Sequence, residues 1–138
     1  MWWACVCLFT ARAQYRFDHW TMDNGLPVNG VYSLLQSRDG YLWMTTVDGL
    51  VRFDGVRFTV FNKGNSPGIE SNRLVAMIED KQGRLWANTD TGDLLLKDGE
   101  RFTTWTAKNG LPGAVKTFMA ADGAGGLVFG TDNGLGLV

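Results

Sequence analysis

Apolar positions in the first half of the chain fall into four short runs, at residues 31–36, 41–46, 50–53 and 56–61. The polar breaks between them are Arg38-Asp39-Gly40, Asp48-Gly49 and Asp54-Gly55. Glycine accepts a positive φ without steric cost and aspartate tolerates it, so Asp-Gly between apolar runs is a strong hairpin signal. Three such turns joining four strands predict a four-stranded antiparallel meander. Within it, Leu42 and Met44 fall on one face while Tyr41 and Trp43 fall on the other, and Val31, Leu34 and Leu35 also cover both faces. A sheet with one wet face would alternate cleanly between apolar and polar positions. A small sheet apolar on both faces has to be sandwiched.

The same pattern returns along the chain. Gly40-Tyr41-Leu42-Trp43 recurs 43 residues later as Gly83-Arg84-Leu85-Trp86, and 42 residues after that as Gly125-Gly126-Leu127-Val128. Gly25-Leu26-Pro27 returns 85 residues on as Gly110-Leu111-Pro112, the offset that also separates Trp43 from Val128. Gly68-Ile69 holds the corresponding place in the middle copy, and Asn29 matches Asn72. Gly25, Pro27, Gly40, Trp43, Gly49, Gly83, Trp86, Gly110, Pro112 and Gly125 are thus the anchors of a repeat.

The repeat divides the chain into units at 25–67, 68–109 and 110–138. Strands are predicted at 74–80, 84–89, 94–97 and 100–106 in the second unit. In the third they are predicted at 115–120 and 127–131, with a further strand at 134–138. Residues 15–21 align with the fourth strand of a unit, through Phe17 and Trp20 against Phe58 and Phe61. The segment 14–24 is therefore expected as the outer strand of an incomplete blade. Radial stacking covers both faces of each sheet with its neighbours. The predicted fold is all-β, a partial β-propeller of about three four-stranded blades in an open arc, with near-zero helix. Trp43 and Trp86 would fill the space between sheets, each removing roughly 150–250 Å² from water, an upper estimate of about 4–6 kcal/mol.

Composition adds bounds. Eighteen glycines in 138 residues is nearly twice average usage, and most fall between predicted strands. A net charge of −1 supplies no basic field for nucleic acid and no polybasic membrane patch. Residues 2–10 form an apolar run followed by Ala11-Arg12-Ala13. A short apolar core before an A-x-A site has the form of a secretory signal peptide, expected over residues 1–13. An ordinary apolar strand is the other reading. The run falls well short of the ~20 residues of a membrane-spanning helix. Both cysteines, Cys5 and Cys7, lie in this segment, and His19 is the single histidine, so no metal-ligand pattern forms.

The string GLPVNGVYSLLQSRDGYLWMTTVDGLVRFDG resembles the two-component regulator propeller repeat, as do IEDKQGRLWANTD in the second unit and GLVFGTDNGL in the third. The resemblance runs from Phe17 to Leu135. It implies tandem β-propellers exported at the N-terminus of large bacterial sensors. A membrane span and a cytoplasmic histidine kinase, or a diguanylate cyclase, follow in such proteins. It further implies a periplasmic location, an inner-membrane anchor in the parent, a small-molecule or glycan-derived ligand, and the remaining blades of a longer chain as packing partners. Val128 in place of Trp and Gly92-Asp93 in place of Gly-Leu depart from the repeat. Three units are fewer than the four to eight blades that close a ring, so the chain is expected to be the N-terminal fragment of a longer sensor.

No catalytic, metal or cofactor constellation stands out. His19, between Phe17 and Trp20, reads as an edge residue rather than a general base. Ser33 lacks a nucleophile-elbow setting. The Asp-rich turns at 90–93 and 132–134 do not match the calcium-loop spacing. Loop placement is more informative. In a meander, the loops before strand one and between strands two and three share one end, and here they are the longer, Asn-richer set. Asn29, Asp48, Asn72, Asp90, Asp132 and Asn133 are the candidate ligand contacts; the other reading is that all six form turns. Two function classes remain: an extracytoplasmic ligand-sensing segment, or a glycan-active lyase, hydrolase or carbohydrate-binding module on the same fold.

Overall fold

The computed structural model describes residues 16–138, so the expected signal peptide at 1–13 lies outside the described residues. Eleven strands are present among them. β1 (Val31–Gln36), β2 (Leu42–Thr46), β3 (Gly49–Phe53) and β4 (Phe58–Phe61) make the first sheet. β5 (Leu74–Glu79), β6 (Leu85–Thr89), β7 (Leu94–Asp98) and β8 (Arg101–Trp105) make the second. β9 (Val115–Ala121), β10 (Leu127–Thr131) and β11 (Gly134–Leu137) make the third. Every neighbouring pair is antiparallel and consecutive, which is the meander expected from the turn spacing.

The tryptophan-bearing face of each sheet packs on the opposite face of the next. Trp43 and Leu50 from the first sheet meet Met77, Leu85, Ala87, Leu95 and Phe102 of the second in one buried cluster. Trp86 and Leu94 of the second sheet then meet Leu127 and Phe129 of the third. First strands of successive sheets lie side by side, β1 with β5 and β5 with β9, as in sheets arranged about an axis. The outermost faces have no such cover. Leu26 closes part of the far side of the first sheet over Met44 and Val51, but Leu34 there is 63% exposed. On the far side of the third sheet Phe118 is 79% and Leu135 71% exposed. The open arc of stacked blades is the architecture expected from two-faced apolar strands.

Two local expectations are corrected. Residues 16–21 form no strand. A strand exists through its ladder, and this segment has none; Trp20 instead leans on Phe53 with ring centroids 5.7 Å apart. The fourth strand begins at Phe58 rather than at residue 56, because Asp54 Oδ1 accepts from the amides of both Val56 (2.8 Å) and Arg57 (2.7 Å) and widens the turn. Short 3-10 turns also precede the first and third sheets, at Met22–Asn24 and Ala107–Asn109.

Candidate functional site

The loops before each first strand and between second and third strands do share one end, and the six candidate residues all lie there. Their side chains divide between turn duty and exposure. Asn29 Oδ1 accepts from the Met22 amide (2.9 Å), and Asn72 Oδ1 from the Lys63 amide (2.8 Å), so both tie a sheet to the segment leading into it. Asp132 Oδ1 accepts from the Ala114 amide (2.9 Å) and Asn133 Nδ2 donates to the Pro112 carbonyl (3.2 Å), which brings these two together on one loop. Asp48 contributes its amide to Thr46 Oγ1, and no side-chain bond of Asp48 is formed among the described residues. Asp90 stands apart: it pairs with Arg73 (3.3 Å) at the surface and lines two clefts at once.

Those clefts open between successive sheets. One, of about 490 Å³, lies between the second and third and is lined by Asn88, Asp90, Thr91, Lys116 and Phe118 among others. The other, of about 270 Å³, lies between the first and second and is lined by Tyr32, Val47, Arg73, Val75 and Asp90. Gly92 sets the wall of the larger cleft. Its φ is +91°, and a Cβ there would stand 2.6 Å from Ala114 Cβ, so only glycine lets the β6–β7 turn meet the third sheet.

A second repeated arrangement locks the opposite end. Asp80 is fully buried. Its Oδ2 accepts from Trp86 Nε1 (2.8 Å) and Arg84 Nε (2.6 Å), and its Oδ1 from the amides of Gln82 and Arg84 (both 2.9 Å). Burial pushes its pKa up and is the largest single influence. The bonds from Trp86 and Arg84, with the guanidinium charge, together outweigh it and hold the carboxyl below the usual range. Ser37 takes this place in the first sheet, accepting from Trp43 Nε1 (3.1 Å). In the third sheet Asp122 takes it, and Val128 stands at the tryptophan place, so no indole is available. The Gly126 amide foremost, then those of Gly125 and Ala124, lower its pKa.

Sequence reasoning missed Asp80, and it missed a third repeated element. Asn24, Asn65 and Asn109 each accept through Oδ1 from the amide three residues back and donate through Nδ2 to the carbonyl five residues back. The signal was present: Asn24 and Asn109 share the 85-residue offset of the Gly-Leu-Pro anchors that follow them. His19 is exposed and offers only its carbonyl, to Asn24. Among the described residues no three His, Cys, Asp or Glu side chains gather as a metal site, and no helix is long and apolar enough to cross a membrane.

Comparison with known proteins places these repeats. The family model described as two component regulator propeller matches residues 25–48 and 68–91. One stretch in each of the first two units thus matches this repeat model. Each matched stretch begins at the loop glycine, Gly25 or Gly68, and runs through the tryptophan-bearing strand to the following turn. No curated protein matches the chain.

Solved structures share the fold of this chain. The extracellular domain of the hybrid two component system BT3049 from B. thetaiotaomicron is 29% identical with a TM-score of 0.64, over 79% of this chain and 15% of that one. The extracellular domain of BT4673 from the same organism matches in two structures. They are 20% and 19% identical, both with a TM-score of 0.62, over 82% and 87% of this chain and 17% and 18% of theirs. At those identities BT4673 speaks for the fold alone. The chain thus spans less than a fifth of the length of the structures it matches.

Proposed function

We propose that this chain is a ligand-sensing segment of an extracytoplasmic propeller in a bacterial two-component-type signalling receptor, non-enzymatic in itself and exported to the periplasm. The observation that carries the reading is the pair of stretches that match the regulator propeller model, in a fold similar to the extracellular domain of BT3049. The ligand is proposed to bind at the loop end, where Asp90 lines both inter-sheet clefts, Lys116 lines the larger one and Phe118 reaches its rim from the far side of the third sheet. A carboxylate, an ammonium and an exposed aromatic ring converging on a concave surface suit a small polar ligand with an apolar face. Asn29, Asn72, Asp132 and Asn133 would then shape the loops, while Asp48 keeps its side chain available for contact and Asp90 contributes from its surface pair with Arg73.

The gene sequence downstream of this segment tests the signalling reading: a transmembrane helix followed by a kinase or cyclase is expected, and a stop codon soon after the last blade would overturn it. Within the whole receptor, Asp90→Ala is expected to lower the response to the inducing ligand about tenfold or more, the loss of one charge-assisted hydrogen bond. An unchanged dose–response would move the site elsewhere.

A further inference from the structure

Two cations stand in the seam between the first and second sheets, where the repeat elsewhere places aliphatic side chains. Arg52 on β3 lies opposite Trp43, and Lys97 on β7 lies opposite Leu85. At the seam between the second and third sheets the same two places are held by Leu96, opposite Trp86, and Val138, bonded through its backbone to Leu127. The Arg52 guanidinium carbon is 4.7 Å from the Tyr41 ring centroid and 5.9 Å from that of Trp43; Lys97 Nζ is 4.9 Å from the same Trp43 ring.

Cation–π attraction offsets part of the desolvation of these charges. It leaves the N–H groups without acceptors and does not relieve repulsion between two cations that share one ring. Arg52 Nε is buried with no partner. None of the four salt bridges among the described residues involves Arg52 or Lys97. Lys97 Nζ donates to the Gly99 carbonyl at 2.7 Å. Asp54, two residues from Arg52, commits Oδ1 to its own turn. Arg52 as a whole is half-buried, and its Nε is the one buried side-chain nitrogen among the described residues that lacks a partner.

We propose that Arg52 and Lys97 form an oxyanion site on the rim of this seam, taking a carboxylate or sulfate group over the Tyr41 and Trp43 rings. A guanidinium presents paired N–H groups that match two oxygens of such an anion, and the ammonium supplies a further bond from the facing sheet. Both cations stand next to β3–β4-type turns, so the site lies at the end of the sheets opposite the clefts lined by Asp90 and is independent of them. An anion bound there bridges two blades and favours their stacked arrangement.

Equilibrium dialysis of the full chain against radiolabelled sulfate at fixed ionic strength, with chloride as the balancing salt, tests this. Saturable uptake is expected. It should fall about tenfold or more in Arg52→Leu and in Lys97→Val, which install the residue types of the second seam. Competition by acetate at comparable concentration would show that carboxylates are taken; failure to compete would restrict the site to sulfate. Circular-dichroism melting of each variant checks folding, and Arg52→Gln serves where Arg52→Leu does not fold. Absence of saturable uptake, equal suppression by chloride, or full uptake in the Arg52→Leu, Lys97→Val double variant would overturn the proposal.

Discussion

Trp86 and Val128 occupy the same place in successive repeats and fill it unequally. Trp86 is buried between two sheets and donates its indole N–H to Asp80, whereas Val128 faces outward from the third sheet. Trp86→Ala is expected to cost about 3–5 kcal/mol in chemical denaturation, because it opens a cavity and strands a buried carboxylate. Val128→Ala, with no sheet beyond it, is expected to cost well under half as much. Asp80→Asn keeps the shape and removes the charge, and about 1–3 kcal/mol should be lost near neutral pH. The pH dependence has a definite sign. The folded carboxyl titrates below its ordinary value of 3.8, so its stabilisation is fully present above that value and disappears as pH falls through the folded pKa. Wild-type protein should therefore lose stability more steeply than Asp80→Asn below about pH 4, measured by urea midpoints across an acid series.

At the scale of the element, turns set the strand boundaries and glycine sets where sheets can touch. Gly92 and Gly40 both have positive φ, +91° and +90°, but a Cβ at Gly92 would strike Ala114 whereas one at Gly40 meets open space. Both alanine variants carry the backbone strain of about 1 kcal/mol, and Gly92→Ala adds a steric clash between sheets. It should be clearly the more destabilising of the two in thermal melts, and equal melting temperatures would show that the β6–β7 turn relaxes freely. The Asn24, Asn65 and Asn109 brackets act at the same scale. Asn109→Ala removes a cap at the entry to the third sheet, and a loss of about 1 kcal/mol is expected by the same measurement.

For the whole molecule, the decisive quantity is apolar surface left uncovered at the two ends of the arc. The far face of the first sheet presents Trp20, Leu34, Phe53 and Phe58 in one groove, and that of the third presents Phe118, Val128 and Leu135. Monomers rarely expose contiguous apolar patches beyond a few hundred Å², and outer strands present unpaired edges. The 138-residue chain by itself is expected to self-associate. Size-exclusion chromatography should show species larger than a monomer, shifted toward monomer by Leu34→Glu together with Phe118→Glu. A sharply melting monomer would contradict this.

The sequence by itself determined the all-β class, the strand positions to within two residues at nearly every end, the repeat, and the open arc, because each follows from local signals: Asp-Gly turns, two-faced apolar runs and fixed offsets. It also placed the loop end where the candidate residues lie. Only the tertiary structure decided how those residues divide, since whether Asn29 caps a turn or Asp90 lines a cleft depends on which amides and which neighbouring sheet come within reach. The buried Asp80 lock and the Arg52–Lys97 pair escaped sequence reading for the same reason. An aspartate near a glycine turn reads as an exposed turn former, and two basic residues 45 positions apart in sequence reveal their shared ring only when blades stack.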